Sequence, residues 1–546
     1  MKETETRFDY WQPLALAALL AAGMFIGTQL DDELPDGSWI TKRSTDHPQL
    51  DQVIDVIEYV KNRYGEDLDE APIAHKAIQN LIEDLDPHSY YLSGHEYRYF
   101  TERLKGSYTG IGINYETLDD TIMLFQVYSG SPAQEVGMQV GDMILNIDGK
   151  SVSGVNLAPA AVYEIWKEAG DEFTIELLSA RSSASRRVSL KKRTIELNSV
   201  PAAFMKDSRA GYIKIDRFST DTPRRFIEAI EQLNGEGLQD LVIDIRGNPG
   251  GNFQSVIKIL DQLVAEKDQL MVYMDGKHLK RTEYRSTGKI LFPIQNIVVL
   301  IDEHSVSASE VLAGALQDLD RATIVGRRSF GKALVQEMYE LSEDAALNLT
   351  VGKYYMPSGR FIQKPYKKKE QYEKDLTARQ SSGELYCYDS LILQSGSAFL
   401  SRMGRKLPAG EGVVPDICIP ANEITHYPEW KSVERSFFRH VVKSTLVSHD
   451  TVADELAEGQ MDEFPKQQII RDFINNDPQA MEIFVEHGSK LEALFSLYYG
   501  GTIRYLFKGE KAYYAYRASH DPEIQKAFEV LQRKIGHELI SHEDQL

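Results

Sequence analysis

Apolar positions fall into distinct regimes along the chain. From 11 to 30 they run almost unbroken, and Leu14 to Gly27 carries no charge. About 20 residues at 1.5 Å each span a bilayer core, so this run predicts a transmembrane anchor. Residues 1–10 precede it and a polar linker, 31–46, follows. Between 47 and 105 the positions Val53, Val56, Ile57 and Val60 recur at helical spacing, and Leu85-Asp86-Pro87-His88-Ser89 carries turn chemistry. From 106 to 195 short β-like runs (Ile111–Asn114, Ile122–Val127, Met143–Ile147) alternate with Gly and Pro turns, and Asp148-Gly149 marks a tight hairpin. Residues 196–420 read as α/β. Leu241–Ile245 and Asn296–Ile301 are buried-strand runs, a helical stretch follows Glu310, and a further strand falls at Thr323–Val325. Beyond 420 the chain is helical and acidic, with amphipathic segments near 467–475, 479–499 and 522–540.

The chain has 546 residues, too many for one core, and a net charge of -21. Such an acid excess argues against nucleic acid as a partner, because phosphate binding needs a basic face. Two cysteines, Cys387 and Cys418, do not make a disulfide framework; one bridge and two free thiols both remain open. The apolar run near the N-terminus lacks the polar face of a core helix. A signal peptide cleaved near Ala21-Ala22-Gly23 is the nearer rival, but apolar residues continue past that point. Lys2 and Arg7 are offset by Glu3, Glu5 and Asp9, while Asp31-Asp32-Glu33 on the far flank favours the N-terminus inside and the bulk outside.

The chemistry concentrates after Ile301. Ser307-Ala308-Ser309-Glu310 fits a helix capping box, yet it also follows a buried strand and opens a helix. A hydroxyl there lies at the carboxyl edge of a sheet, where the helix dipole favours a developing oxyanion. Lys332 follows about 25 residues on, and a neutral lysine can take a serine proton. That requires a depressed pKa, which burial beside Phe330, Ala333, Leu334 and Val335 would provide. Gln336 can hold the amine by a neutral hydrogen bond. The pair Gly250-Gly251, at the end of the neighbouring strand, can offer backbone N–H groups. Ser309 is a rival nucleophile. Gly326 to Ala333 is one residue short of a P-loop, but Ala333 stands where a Mg²⁺-binding hydroxyl is required. His537 and His542 lie five apart, off one helix face, so a zinc site fails on spacing. No metal or cofactor is expected.

Two resemblances follow. Gly110-Ile111-Gly112-Ile113, Ser131-Pro132-Ala133 and Gly137 to Asp142 resemble a PDZ domain. This implies that Gly110, Ile111, Gly112 and Ile113 receive a peptide C-terminus, which adds a strand to the sheet edge. Leu85 to Ser89, Asp244 to Gly251, Ser307 to Glu310, Gln317-Asp318, Gly331-Lys332 with Gln336, and Pro357 to Arg360 resemble the carboxy-terminal processing (tail-specific) serine peptidases. The resemblance runs from about 47 to 420. It implies a multidomain α/β protein: a helical N-terminal region (47–105), a PDZ domain (106–195) and a crotonase-like peptidase core (196–420); the helical C-terminal extension (421–546) lies outside the resemblance. It further implies Ser307 as nucleophile, Lys332 as general base and Gln336 as its orienting residue. Gly251 and Ala308 would form the oxyanion hole, with Gly250 as alternative, and Glu310 and Asp318 would support the site. The segment 361–412 is longer than usual for the family.

The expected protein is thus a single-pass bacterial inner-membrane enzyme with its catalytic domains in the periplasm. It would cleave protein or peptide substrates with exposed C-termini. The C-terminal helices would offer a surface for a homo-oligomer or an adaptor protein. The competing functional classes are a catalytically silent PDZ scaffold and, more remotely, a P-loop NTPase.

Overall fold

The run Leu241–Ile245 shows no polar alternation because both of its faces are covered. A computed structural model describes residues 48–532, apart from 119–120, 155–161, 163–164, 167, 180–183, 388–398, 428 and 448–465. The anchor expected over 11–30, the linker over 31–46 and the His537/His542 pair lie outside the described residues. Among the described residues no helix is long and apolar enough to cross a membrane.

The core sheet has six strands: β1 (Ala202–Met205), β2 (Ala210–Lys214), β3 (Asp240–Asp244), β4 (Asn296–Ile301), β5 (Thr323–Gly326) and β6 (Ile417–Cys418). They lie side by side in chain order. β1 runs antiparallel to β2, and the rest pair in parallel. Alternate residues face opposite ways. Ile213, Leu241, Ile243, Ile297, Val299 and Ile324 pack on α1 (Thr222–Gly235), α2 (Phe253–Leu263) and α3 (Ala308–Asp318). Tyr212, Val242, Val298, Leu300 and Val325 face the other way.

That second face is covered by the C-terminal extension. Ala518 and, from α4 (Pro522–Gln532), Ile524, Ala527, Phe528 and Leu531 bury against it. The extension is therefore a layer of the core sheet rather than an appendage. It also grips the β-rich domain: Phe125 meets Phe438 at 5.2 Å, the Tyr505 hydroxyl donates to Gln126 at 2.9 Å, and Arg439 pairs with Glu116 at 2.8 Å.

The chain divides after Ile78 into two compact units. In the first, the helix Pro48–Arg63 leaves Val53, Val56 and Ile57 exposed. In the second, Tyr90–Ser93 forms a strand inside the stretch read as helical, pairing with the long strand Ala345–Tyr355. Its Tyr-Tyr-Leu content favours a pleated, half-buried edge. Ala345–Tyr355 also pairs with Leu334–Ser342 and Leu270–Asp275, so a second sheet lies beside the first. In the β-rich domain Ile113–Leu118 is the edge strand, and Asp148-Gly149 makes the hairpin turn with both residues at positive φ.

Cys387 and Cys418 form a disulfide, which staples the long 361–412 segment to β6. The bridge closes a loop of 31 residues. Loss of such a constraint costs about 2–4 kcal/mol. A Cys387→Ser/Cys418→Ser protein is expected to unfold at correspondingly lower denaturant concentration. An unchanged unfolding midpoint would show that the staple contributes nothing.

Candidate active site

The parallel strands β3, β4 and β5 end in register, with Asp244 opposite Leu300 and Ile301 opposite Gly326. Their following loops converge at this edge. Val306 N–H donates to the Asn248 carbonyl at 3.0 Å, and Phe330 N–H to the Ser305 carbonyl at 3.1 Å. Ser307 sits where the second loop turns into α3. Its φ of 59° and ψ of -111° are rare for a residue with a side chain. Such a conformation costs about 1–3 kcal/mol and persists only where surroundings impose it. Gly250 is part of that imposition: a Cβ there would meet the Val306 carbonyl at 2.8 Å and Ser307 Cβ at 3.1 Å.

Glu310 links this loop to the next one. Half of the capping box is present: Ser307 N–H donates to Glu310 Oε2 at 2.8 Å, while Glu310 N–H donates to the Ser307 carbonyl at 2.9 Å rather than to its hydroxyl. The same carboxylate accepts the Lys332 N–H at 2.8 Å, the Gly331 N–H at 2.6 Å and the Ser329 hydroxyl at 2.5 Å. One fully buried carboxylate thus holds the backbones of Ser307 and Lys332 together. Burial pushes the Glu310 carboxyl up, against the hydrogen bonds that hold it down.

Lys332 Nζ donates to Gln336 Oε1 at 2.6 Å, and Gln336 Nε2 donates to the His88 carbonyl. Burial lowers the amine to about 8, opposed by the charges of Glu310 and Asp86. Of the expected apolar company, Ala333, Leu334 and Val335 are buried and Phe330 is half-buried.

Backbone N–H groups suited to an oxyanion can also be sorted. Gly250 N–H is committed to Asn248 Oδ1 at 2.8 Å. The N–H groups of Gly251 and of Ala308, the first residue of α3, have no hydrogen-bond acceptor among the described residues. Ser309, the rival nucleophile, is fully buried and donates its hydroxyl to the Asn248 carbonyl at 2.9 Å.

The profile of Peptidase family S41 matches residues 209–372, and that of a PDZ domain matches 126–177. The carboxy-terminal processing protease CtpB of Bacillus subtilis is 31% identical over 353 residues, covering 63% of this chain and 72% of that protein. Carboxy-terminal processing protease CtpA of the same organism is 30% identical, covering 59% and 68%. The chain belongs to peptidase family S41. It is a serine-type peptidase with a PDZ domain. A probable CtpA-like serine protease of Staphylococcus aureus is 30% identical over 58% of this chain and 63% of its own length. Among solved structures, a photosystem II D1 C-terminal processing protease matches at 26% identity and a TM-score of 0.32, covering 58% of this chain and 83% of that one.

Not every residue expected at the site of this peptidase lies there. Asp318 ends α3, ten residues after its start at Ala308, which places it roughly 15 Å along the axis. It pairs with the buried Arg360 at 2.8 Å and accepts the Ser358 N–H, so it braces the Pro357–Arg360 turn. The P-loop reading fails on donors: the Gly331 and Lys332 N–H groups that would face a phosphate already face Glu310.

In the PDZ domain Gly112 has a φ of 79°, and its carbonyl accepts the Tyr128 N–H at 2.9 Å. The Gly112 and Ile113 N–H groups act on the Tyr108 hydroxyl, which burial otherwise pushes up. Ile113 then begins an edge strand of the domain's sheet.

Other contributors carried no motif. Arg379, from the long 361–412 segment, donates to the Arg328 carbonyl at 2.6 Å and pairs with Glu384 at 2.9 Å. Glu384 also pairs with Arg328 at 2.7 Å. The segment therefore braces the loop leading to Lys332. Asn248 orders the glycine loop from within a recognisable motif: its side chain accepts the Gly250 N–H at 2.8 Å and donates to the Ile215 carbonyl at 3.1 Å.

Proposed function

We propose that this peptidase is an endopeptidase that uses a Ser307–Lys332 dyad to hydrolyse proteins presented by their C-termini. The single observation carrying the reading is the Glu310 carboxylate, which binds the N–H groups of both Ser307 and Lys332. Ser307 Oγ attacks the peptide carbonyl and Lys332 takes its proton. The Gly251 and Ala308 N–H groups receive the oxyanion. Lys332 then returns the proton to the leaving amine, and water releases the acyl group. Gln336 holds the amine by a neutral acceptor, which leaves the nitrogen lone pair for the serine proton. The PDZ domain selects the substrate C-terminus along its edge strand, as the names of the carboxy-terminal processing relatives suggest.

The proposal includes a membrane anchor at 11–30 and catalytic domains in the periplasm. The disulfide supports an oxidising compartment, where such bonds persist. The proposed domain limits remain 47–105, 106–195, 196–420 and 421–546, with the last contributing a layer of the core.

The test is cleavage of an unfolded protein with an apolar C-terminus, with EDTA present and no ATP. Wild type is expected to cleave and Ser307→Ala to be inert. Equal cleavage by both would reduce Ser307 to a helix cap. Binding of C-terminal peptides without cleavage by either would mark a PDZ scaffold.

A further inference from the structure

The Lys332 amine is oriented by a side-chain amide, and an amide has two unlike ends. Only its oxygen can accept the lysine hydrogen, so something must decide which end faces the amine. Here the other end, Gln336 Nε2, donates to the main-chain carbonyl of His88. A carbonyl cannot donate, so this contact determines the orientation of the amide.

The His88 carbonyl is itself held by a dense turn. The His88 and Ser89 N–H groups donate to Asp86 Oδ1 at 2.8 and 2.9 Å, and the Ser89 hydroxyl to Asp86 Oδ2 at 2.8 Å. The Thr350 hydroxyl donates to Asp86 Oδ1 at 3.1 Å, and the Thr350 N–H to the Ser89 hydroxyl at 3.0 Å. Thr350 is the cross-strand partner of Gln336. The turn is therefore pinned directly opposite the residue that it orients. The His88 ring lies 2.7 Å, Nε2 to oxygen, from the Tyr372 hydroxyl. Tyr372 comes from the long segment after β-strand Ala345–Tyr355, and its ring packs against Phe330 and under Lys364 Nζ.

We propose that Asp86, His88 and Tyr372 are positioning residues for the general base, acting through the His88 carbonyl and Gln336 on the Lys332 amine. This rests on the Ser307–Lys332 reading. The turn Leu85–Ser89, which the sequence offered as turn chemistry and as part of the family resemblance without a role, becomes part of the hydrolytic apparatus, and the long 361–412 segment supplies its outer clamp.

The charges around the amine make the idea measurable. Glu310 and Asp86 both favour the charged lysine. His88 faces it uncharged, because burial and the nearby Lys332 and Lys364 lower it to about 4. Lys364 lies behind Tyr372 and is paired with Asp375 at 3.0 Å. Asp86→Asn keeps the shape of the turn and most of its acceptors but removes one negative charge. Less support for the ammonium means a lower lysine pKa. The acid limb of kcat/KM against pH should therefore move to lower pH. Tyr372→Phe keeps the ring and removes only the bond to His88. Small misplacements of a catalytic group cost up to about a hundredfold, so kcat should fall by roughly tenfold with KM nearly unchanged.

The experiment is the pH profile of peptide cleavage by wild type, Asp86→Asn and Tyr372→Phe, alongside Ser307→Ala and Lys332→Ala, with thermal unfolding of each. The expected result is a displaced acid limb in Asp86→Asn, a kcat loss in Tyr372→Phe, and inert Ser307 and Lys332 variants. With those two inert, wild-type kcat and an unmoved limb in the other pair would overturn the proposal. So would losses that merely track lowered melting temperatures while the limb stays in place. Cleavage by Ser307→Ala would instead overturn the dyad reading beneath it.

Discussion

Lys332→Ala is expected to lower kcat by roughly ten-thousand-fold, the upper range for loss of a general base. In the wild type, kcat/KM is expected to climb with pH through an inflection near 8, where the amine loses its proton. The sign follows from chemistry: only the neutral amine can accept the serine proton. An ordinary lysine would be almost wholly charged at pH 7, whereas one titrating near 8 is about a tenth neutral. Lys332→Arg should be as inactive as the alanine variant, since guanidinium does not deprotonate in this range. The same shift has a stability consequence. The unfolded chain binds this proton up to the ordinary lysine range, while the folded chain releases it near 8. Burial of the ammonium therefore costs stability in full below pH 8, roughly 3 kcal/mol. That cost is relieved as pH rises toward 10.5. Rate profiles on a short peptide, with denaturation curves at pH 7 and pH 9, test both halves. A flat profile across pH 7–9, or Lys332→Ala activity within tenfold of wild type, would remove lysine from the mechanism.

Glu310→Ala carries the largest expected effect on folding. It strips the acceptor from the N–H groups of Ser307, Gly331 and Lys332 and from the Ser329 hydroxyl, all beside a fully buried side chain. Each buried donor left without a partner costs about 1–3 kcal/mol, partly recovered where water enters, so a loss of about 3–5 kcal/mol is expected. Activity should fall with it, because the strained Ser307 backbone and the Lys332 loop lose their common tie. Glu310→Gln separates the two effects. It retains the volume but turns an NH₂ toward N–H donors, so one pair of contacts becomes repulsive. Urea unfolding and kcat on the same preparations provide the check. If Glu310→Ala unfolds at the wild-type midpoint and cleaves at the wild-type rate, the carboxylate is no more than a helix cap.

The candidate residues of the site were legible one by one for local reasons. A strand run, a serine and a helical run in succession put Ser307 at a sheet edge. The sequence Gly331-Lys332-Ala333-Leu334-Val335 announces a lysine in apolar company. Gln336, four residues on, lies within reach of Lys332 on a strand rather than a helix, a distinction the short apolar run could not make. The Ser-x-x-Glu signature showed that Glu310 would reach back to Ser307. That it also reaches forward to residues 329, 331 and 332 depends on β4 and β5 pairing in parallel, which no periodicity contains. Asp318 shows the converse. Its place in a motif suggested the site, but the length of α3 carries it to the other end.

By itself the chain determined the central strands of its core sheet, most of its helices, its β-rich domain and the identity of the candidate nucleophile and base, because periodicity, turn residues and motif spacing act over a few positions. Tertiary structure decided what those elements face. The C-terminal helices were amphipathic on paper, and only packing revealed that they cover the second face of the core sheet at Val242, Val298, Leu300 and Val325. Contact between His88 and Tyr372 joins residues 284 apart in sequence. Such a pairing is selected by the summed burial of two sheets and a clamp, so it leaves no local trace for a reader of the sequence to find.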